Sequence, residues 1–237
     1  MVNTNPVVIV TGASQGIGAG LVAGYRKLGY SVVANSRTIT DSDDPQIHAV
    51  AGDISEPGVG QSLVDAAVDR FGRVDALINN AGIFIAKPFT DYTDEDFDAI
   101  TGVNLRGFFD ATRAAIAAME EQGGGGHVVN VTTTLVEHAL AQVPSALASL
   151  TKGGLTAVTK ALATEYADRG IRTNAVALGI IRTPMHLEET HEFLDSLHPL
   201  GHMGDIDDVV NAVLYLEEAK FVTGEILHVD GGQHAGH

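Results

Sequence analysis

The residues whose types and spacing can do chemistry begin at Thr11. Thr11-Gly12-Ala13-Ser14-Gln15-Gly16-Ile17-Gly18 follows a short β-branched run, Val7-Val8-Ile9-Val10, and precedes a helical pattern that lasts to Leu28. A strand entering a helix through such a turn aims backbone N–H groups and the positive end of the helix dipole at one place, which suits a pyrophosphate. Gly12 permits the tight turn, Gly16 lets a phosphate reach the backbone, and Gly18 lets helix and strand pack closely. A second group is His186, His191, His198 and His202 among Glu188, Glu189, Glu192 and Asp195. Imidazoles and carboxylates invite a metal, but no tight spacing such as His-Glu-x-x-His occurs, so no metal is expected. Asn130-Val131-Thr132 fits a glycosylation pattern, yet it falls in a core strand and is read as accidental.

The elements that must position these residues alternate along the chain. Strands are expected at 7–10, 31–35, 47–51, 74–78, 128–131, 172–177 and 226–229, with helices over 59–71, 94–119, 147–166 and 206–216 between them. This alternation argues for an α/β fold, a single doubly wound parallel sheet with helices on both faces. No linker or shift in composition marks a second domain, so residues 1–237 are read as one domain, with a short frayed start over 1–6. The helix from Leu147 is apolar nearly all round, with Leu150, Leu155, Val158 and Leu162 interleaved with alanines. Such a helix is expected to be covered twice, by its own sheet and by another subunit.

Lys and Arg number 14 against 30 Asp and Glu, a net charge of −16. That surface repels phosphate backbones and anionic lipid, which excludes nucleic acid and membrane as expected partners. No run reaches the length of a membrane span, and no basic-then-apolar leader opens the chain. Cysteine is absent, which removes thiol chemistry and fits a reducing, cytoplasmic setting.

Taken together the motifs resemble the classical short-chain dehydrogenase/reductase family, over nearly the whole chain. Thr11-Gly12…Gly16-Ile17-Gly18 looks like its cofactor turn, Asn79-Asn80-Ala81-Gly82 like its strand-four motif, and Asn104-Leu105-Arg106-Gly107 like the helix motif with the active-site asparagine. Ala177-Leu178-Gly179-Ile180-Ile181-Arg182-Thr183-Pro184-Met185 is similar to its nicotinamide loop, with Leu178 where proline is usual, and Val229-Asp230-Gly231-Gly232 to its end. The resemblance implies a Rossmann domain that binds a nicotinamide cofactor and assembles as a homodimer or homotetramer. It implies cofactor contacts at Gly12, Ser14, Gln15, Gly16, Ile17 and Gly18, at Asp53 and Ile54 for the adenine, and at Asn80, Ala81 and Gly82. Further contacts are implied at Lys152, Gly179, Ile181 and Thr183, with residues 184–204 as a substrate lid. Ile83 and Phe84 are expected to line an apolar substrate pocket.

At the end of the second strand an acid would accept from a ribose 2′-hydroxyl and repel a 2′-phosphate. Here Ser36 and Arg37 stand instead. Both offer donors to a phosphate, which favours NADP(H) over NAD(H).

The resemblance also implies a serine and a tyrosine at the reacting oxygen, with a lysine four residues after the tyrosine. In Ala148-Ser149-Leu150-Thr151-Lys152 the lysine is in place and alanine stands four before it. Thr133, or its neighbours Thr132 and Thr134, falls where the serine is expected. Losing a positioned acid typically costs ~10²–10⁴ in rate. Tyr92, or His138 with Glu137 near the substrate mouth, is a weak candidate to replace it; Lys152 acting through a water is another. A substrate needing little acid help, an iminium or a conjugated alkene, is a different escape. The expectation is an NADP(H)-dependent oxidoreductase acting on a small carbonyl or alcohol, or on an imine or enone. Asn104, Thr133 and Lys152 are its catalytic set. A dinucleotide-binding sensor or assembly subunit without turnover is the alternative, and both require the same cofactor motifs.

Overall fold

The computed structural model describes residues 5–236, so Met1 to Thr4 of the expected frayed start and His237 lie outside the described residues. The strands are β1 (Val7–Thr11), β2 (Ser31–Ser36), β3 (Ile47–Ala51), β4 (Ala76–Asn79), β5 (Gly126–Thr133), β6 (Ile171–Leu178) and β7 (Ile226–Val229). They form one seven-stranded sheet in the order β3-β2-β1-β4-β5-β6-β7, and every pairing is parallel. The expected doubly wound sheet is what the chain builds. Strand order reverses between β1 and β4, and ligands of such sheets sit beyond the strand ends at that reversal.

Seven α-helices lie among the described residues: α1 (Gly16–Lys27), α2 (Val59–Phe71), α3 (Asp94–Thr101), α4 (Phe108–Gln122), α5 (Ala146–Glu165), α6 (His191–Ser196) and α7 (Ile206–Glu218). Side chains of a strand alternate between faces, and β1 shows it. Val8 and Val10 join Leu21 and Tyr25 of α1 and Val209 and Val213 of α7. Val7 and Ile9 join Leu63 and Ala67 of α2 and Ala115 and Met119 of α4 on the other side. Each fully buried aliphatic chain here contributes roughly 1.5–3 kcal/mol of hydrophobic stabilisation.

One expected helix is not continuous. The stretch read as helical from Asp94 to Met119 contains a wide π turn at Gly102–Gly107 between α3 and α4. Glycine at both ends lowers helix propensity, and a Cβ on Gly107 would stand 2.9 Å from Ile54. The extra residue in the turn lets Asn104 reach inward, a use of π turns that recurs at functional sites.

Among the described residues no helix is long and apolar enough to cross a membrane. On α5, Leu155 is buried against the sheet while Leu150, Gly154, Ala157 and Ala161 are exposed, so its second apolar face is open in the single chain.

Candidate active site

The site grows from the ends of β1 and β4. Thr11 Oγ1 donates to the Ile78 carbonyl at 3.2 Å and accepts from the Asn80 and Ala81 amides at 3.1 and 3.0 Å. Asn80 Nδ2 donates to the carbonyls of Thr11 and Gly12 at 2.9 and 3.2 Å. These bonds pin the glycine turn to the neighbouring strand. Gly12 has φ +68°, and a Cβ on it would stand 2.9 Å from Ala81 Cα. On Gly18 it would stand 2.1 Å from the Gly12 carbonyl oxygen. Backbone atoms cannot yield that much, so the turn requires glycine at both places.

Gln15 precedes α1 without a side-chain cap, and the first turn of α1 carries no acid. Its leading N–H groups are therefore available to an anion.

From that turn a cleft of about 630 Å³ runs along the carboxyl ends of the strands. At one end lie Ser36, Arg37, Asp53 and Ile54. Arg37 is largely exposed and its Nη1 is 3.9 Å from the Asp53 carboxylate. Hydrogen bonds from the Ser55 hydroxyl and amide, with the Arg37 charge adding, hold the Asp53 carboxyl below the usual carboxylate range against desolvation.

At the other end Thr133, Ala148 and Lys152 meet Asn80, Ala81, Gly82, Gly179, Ile181 and Thr183. Lys152 Nζ donates to the Val131 carbonyl at 2.8 Å. Burial alone lowers its ammonium from 10.5 to about 8. Thr133 Oγ1 donates to the Leu178 carbonyl at 3.3 Å and accepts from the Leu135 amide. Ala148 is buried, packed with Ile100 and Leu147, and presents only a methyl group to the cleft.

Of the expected site residues, all but Asn104 line this cleft. Asn104 lies behind its wall, fully buried. Its Oδ1 accepts from the Ile83 amide at 3.0 Å, and its Nδ2 donates to the Ile83 carbonyl and to Thr151 Oγ1, both at 3.1 Å. It fixes the segment after Gly82 to α5.

The weak candidates for a replacement acid lie elsewhere. Glu137 and His138 do not line the cleft: the chain turns away after Thr133, Thr134 Oγ1 donates to the buried Asp230 at 2.8 Å, and Glu137 pairs with His228 at 3.2 Å. Tyr92 does not line it either, and its hydroxyl donates to the Ile85 carbonyl at 2.8 Å. Thr132 donates to the Lys152 carbonyl at 3.0 Å. His198 is buried, its Nε2 accepting from the Ile180 amide and its Nδ1 donating to the Leu194 carbonyl, both at 3.0 Å. It braces the loop after β6.

Reading by motif missed Asp98 and Val103 as cleft residues, while Met185 ended the loop motif and His186 fell within the expected lid. Asp98 and Val103 lie on α3 and the π turn, whose wider period no local spacing announces.

This geometry has close counterparts. A family model described as enoyl-(acyl carrier protein) reductase matches residues 12–234. The chain is a classical short-chain dehydrogenase/reductase. It is thus an oxidoreductase of that type. Among relatives, 3beta-hydroxysteroid dehydrogenase 1 of Eggerthella lenta is 35% identical, with 95% of this chain and 92% of the relative covered. The 3-oxoacyl-[acyl-carrier-protein] reductase FabG of Thermotoga maritima is 33% identical, covering 95% and 96%. ElxO with NADP bound superposes with a TM-score of 0.91 at 28% identity, covering 98% of this chain and all of that one. A Brucella melitensis 3-ketoacyl-(acyl-carrier-protein) reductase complexed with NADH gives 0.87 at 32% identity, covering 97% and 98%.

Proposed function

We propose that the protein is an NADP(H)-dependent oxidoreductase that moves a hydride between the nicotinamide and a small carbonyl or alcohol, imine or enone. The observation that carries this reading is the single cleft on which the glycine turn, Ser36 with Arg37, Asn80 to Gly82, Lys152 and the loop from Gly179 to Thr183 converge. The uncapped start of α1 and the two obligatory glycines fit a pyrophosphate, and Ser36 and Arg37 fit a 2′-phosphate better than a bare ribose hydroxyl. Relatives hold NADP, NADPH and NADH. ElxO holds NADPH with one of its tyrosines changed to phenylalanine.

In this reading a bound reduced nicotinamide supplies the hydride. Ser14, Gln15, Gly16, Ile17 and Gly18 hold the pyrophosphate, Asp53 and Ile54 the adenosine, and Asn80, Ala81 and Gly82 the floor. Lys152 binds the nicotinamide ribose, with Gly179, Ile181 and Thr183 against the ring. Thr133 orients the substrate. Asn104 is a positioning residue that acts through Ile83 and Thr151. Ala148 stands where the family's tyrosine is expected, so no phenol protonates the product. Residues 1–237 act as one dinucleotide-binding domain with 184–204 as its lid. A second copy covers the open face of α5 in a dimer or tetramer, and the cysteine-free acidic chain works in the cytoplasm.

The test is a fluorescence titration with NADPH and NADH, followed by loss of NADPH absorbance against ketones, imines and enones. The buried methyl of Ala148 also fits a second reading, a dinucleotide-binding sensor or assembly subunit without turnover. Tight NADPH binding with no substrate consumed selects that second reading, and binding of neither dinucleotide removes both.

A further inference from the structure

We infer that the substrate of this cleft is a cationic imine, an iminium, rather than a ketone or a thioester on a phosphate-bearing carrier. The inference rests on the dinucleotide reading above and narrows it from two independent observations.

The first is the state of the hydroxyl, amide and imidazole donors around Ala148. Thr133 donates to Leu178, Thr132 to the Lys152 carbonyl, Tyr92 to Ile85 and Asn104 to Ile83 and Thr151. His186 lines the cleft, but burial and the neighbouring His191 push its imidazolium below the usual value, leaving it neutral near pH 7. Hydride added to a carbonyl carbon moves the C=O pair onto oxygen and leaves an alkoxide that needs a proton. Added to an iminium carbon it moves the C=N pair onto nitrogen and leaves a neutral amine. The substrate is reduced by two electrons, the dihydronicotinamide is oxidised by two, and no proton is required. A wall with a methyl group at the reacting position completes the second reaction unaided and leaves the first dependent on the Lys152 ammonium acting through a water.

The second is the charge of the two segments that supply Ile83, Phe84, Asp98 and Val103, and Thr183 to His186, to the cleft. Residues 83–104 hold one lysine and five carboxylates, and residues 182–205 one arginine and five carboxylates. The two cations are already engaged, Lys87 with Asp96 and Arg182 with Asp195 and Asp205, while Asp98 lines the cleft itself. Such segments attract a cation and repel a phosphate-bearing carrier. Phe84 adds an exposed ring to the cleft wall, where a cation is favourable. Lys152 does not oppose this, because its amine gives up a proton more easily than most when a second cation arrives.

The probes are N-methyl dihydroisoquinolinium, its neutral near-isostere α-tetralone and a tetralin carboxylate. Calorimetry of each against the protein loaded with NADP⁺ reads binding without turnover. The cation is expected to bind about tenfold tighter than the ketone, a gap that narrows in high salt, and the carboxylate weakest. With NADPH, the iminium is expected to be consumed at least ~10²-fold faster than the ketone, over a control without protein. Ala148→Tyr should raise ketone reduction alone by a similar factor. Equal affinity for cation and ketone, or ketone reduced as fast as iminium, overturns the inference while the dinucleotide reading stands. NADPH bound and oxidised by ketones but not by the iminium does the same. Failure to bind NADPH removes the underlying reading instead.

Discussion

Lys152 Nζ donates to the Val131 carbonyl oxygen at 2.8 Å, and a methyl placed on Gly82 would stand 2.9 Å from that same nitrogen. The amine therefore occupies a slot cut to an ammonium, opening on the cleft beside Ala148. A compact cation there can serve a ribose hydroxyl through its remaining N–H groups, whereas a planar guanidinium has neither the room nor the shape.

From this relationship Lys152→Met is expected to weaken NADPH binding by ~10–100-fold, the loss of hydrogen bonds to a charged group worth about 1.5–3 kcal/mol. Lys152→Arg should fail to restore it. A fluorescence titration of both variants checks this, and wild-type affinity in either one removes Lys152 from the cofactor site.

Gly18→Ala tests the turn itself. A Cβ 2.1 Å from the Gly12 carbonyl oxygen forces α1 away from β1, so dinucleotide affinity should fall at least tenfold while the sheet survives. Circular dichroism with the same titration separates the two. An alanine variant that binds NADPH normally would show that the anion site lies elsewhere.

Arg37 decides the phosphate. It is 76% exposed, and its link to Asp53 at 3.9 Å is too loose and solvated to consume it. Arg37→Ala is expected to lower NADPH affinity ~10-fold with NADH affinity nearly unchanged, and Ser36→Asp to reverse the preference. Unaltered ratios in both variants would make the cleft indifferent to the 2′-phosphate.

How much of this is legible in the sequence follows from how local each feature is. The glycine turn is readable because one ligand group is held by consecutive residues of one chain segment. The sheet is readable because strands such as Val7–Thr11 are buried on both faces and punctuated by helices of regular period. The inward reach of Asn104 is not, since it depends on a π turn whose wider period looks helical, and on Ile83, 21 residues away. Glu137 and His138 come three and four residues after Thr134, yet the turn after Thr133 takes them out of the cleft, Glu137 to His228. Adjacency in sequence did not decide which side of a strand end they reach.

The least legible feature also contributes to acid stability. His127 and Glu217 are 90 residues apart, both buried, with Nδ1 and the carboxylate 2.8 Å apart. The Glu225 amide donates to Asn174 Oδ1, so Asn174 Nδ2 points at His127 Nε2, 3.0 Å away, and that nitrogen must accept. His127 is thus neutral and gives its Nδ1 proton to Glu217, which also accepts from Tyr25, Tyr30 and Lys220. Burial lowers the His127 pKa below 6.5, outweighing Glu217, and the Arg172 and Lys220 charges add to the lowering. Burial would raise Glu217, but His127, Lys220 and Tyr30 bring it from 4.5 down to about 2. On unfolding below pH 6.5 the histidine takes up a proton it lacks in the fold, so stability falls with pH, by at most ~1.4 kcal/mol per unit for one proton. Between 4.5 and about 2 the glutamate adds the same loss. His127→Gln keeps a donor for Glu217 and an acceptor for Asn174 but cannot titrate. Calorimetric melting temperatures should therefore drop between pH 6.5 and 5 in the wild type and stay flatter over that interval in the variant. Parallel curves for the two proteins would mean that His127 carries its proton in the folded chain.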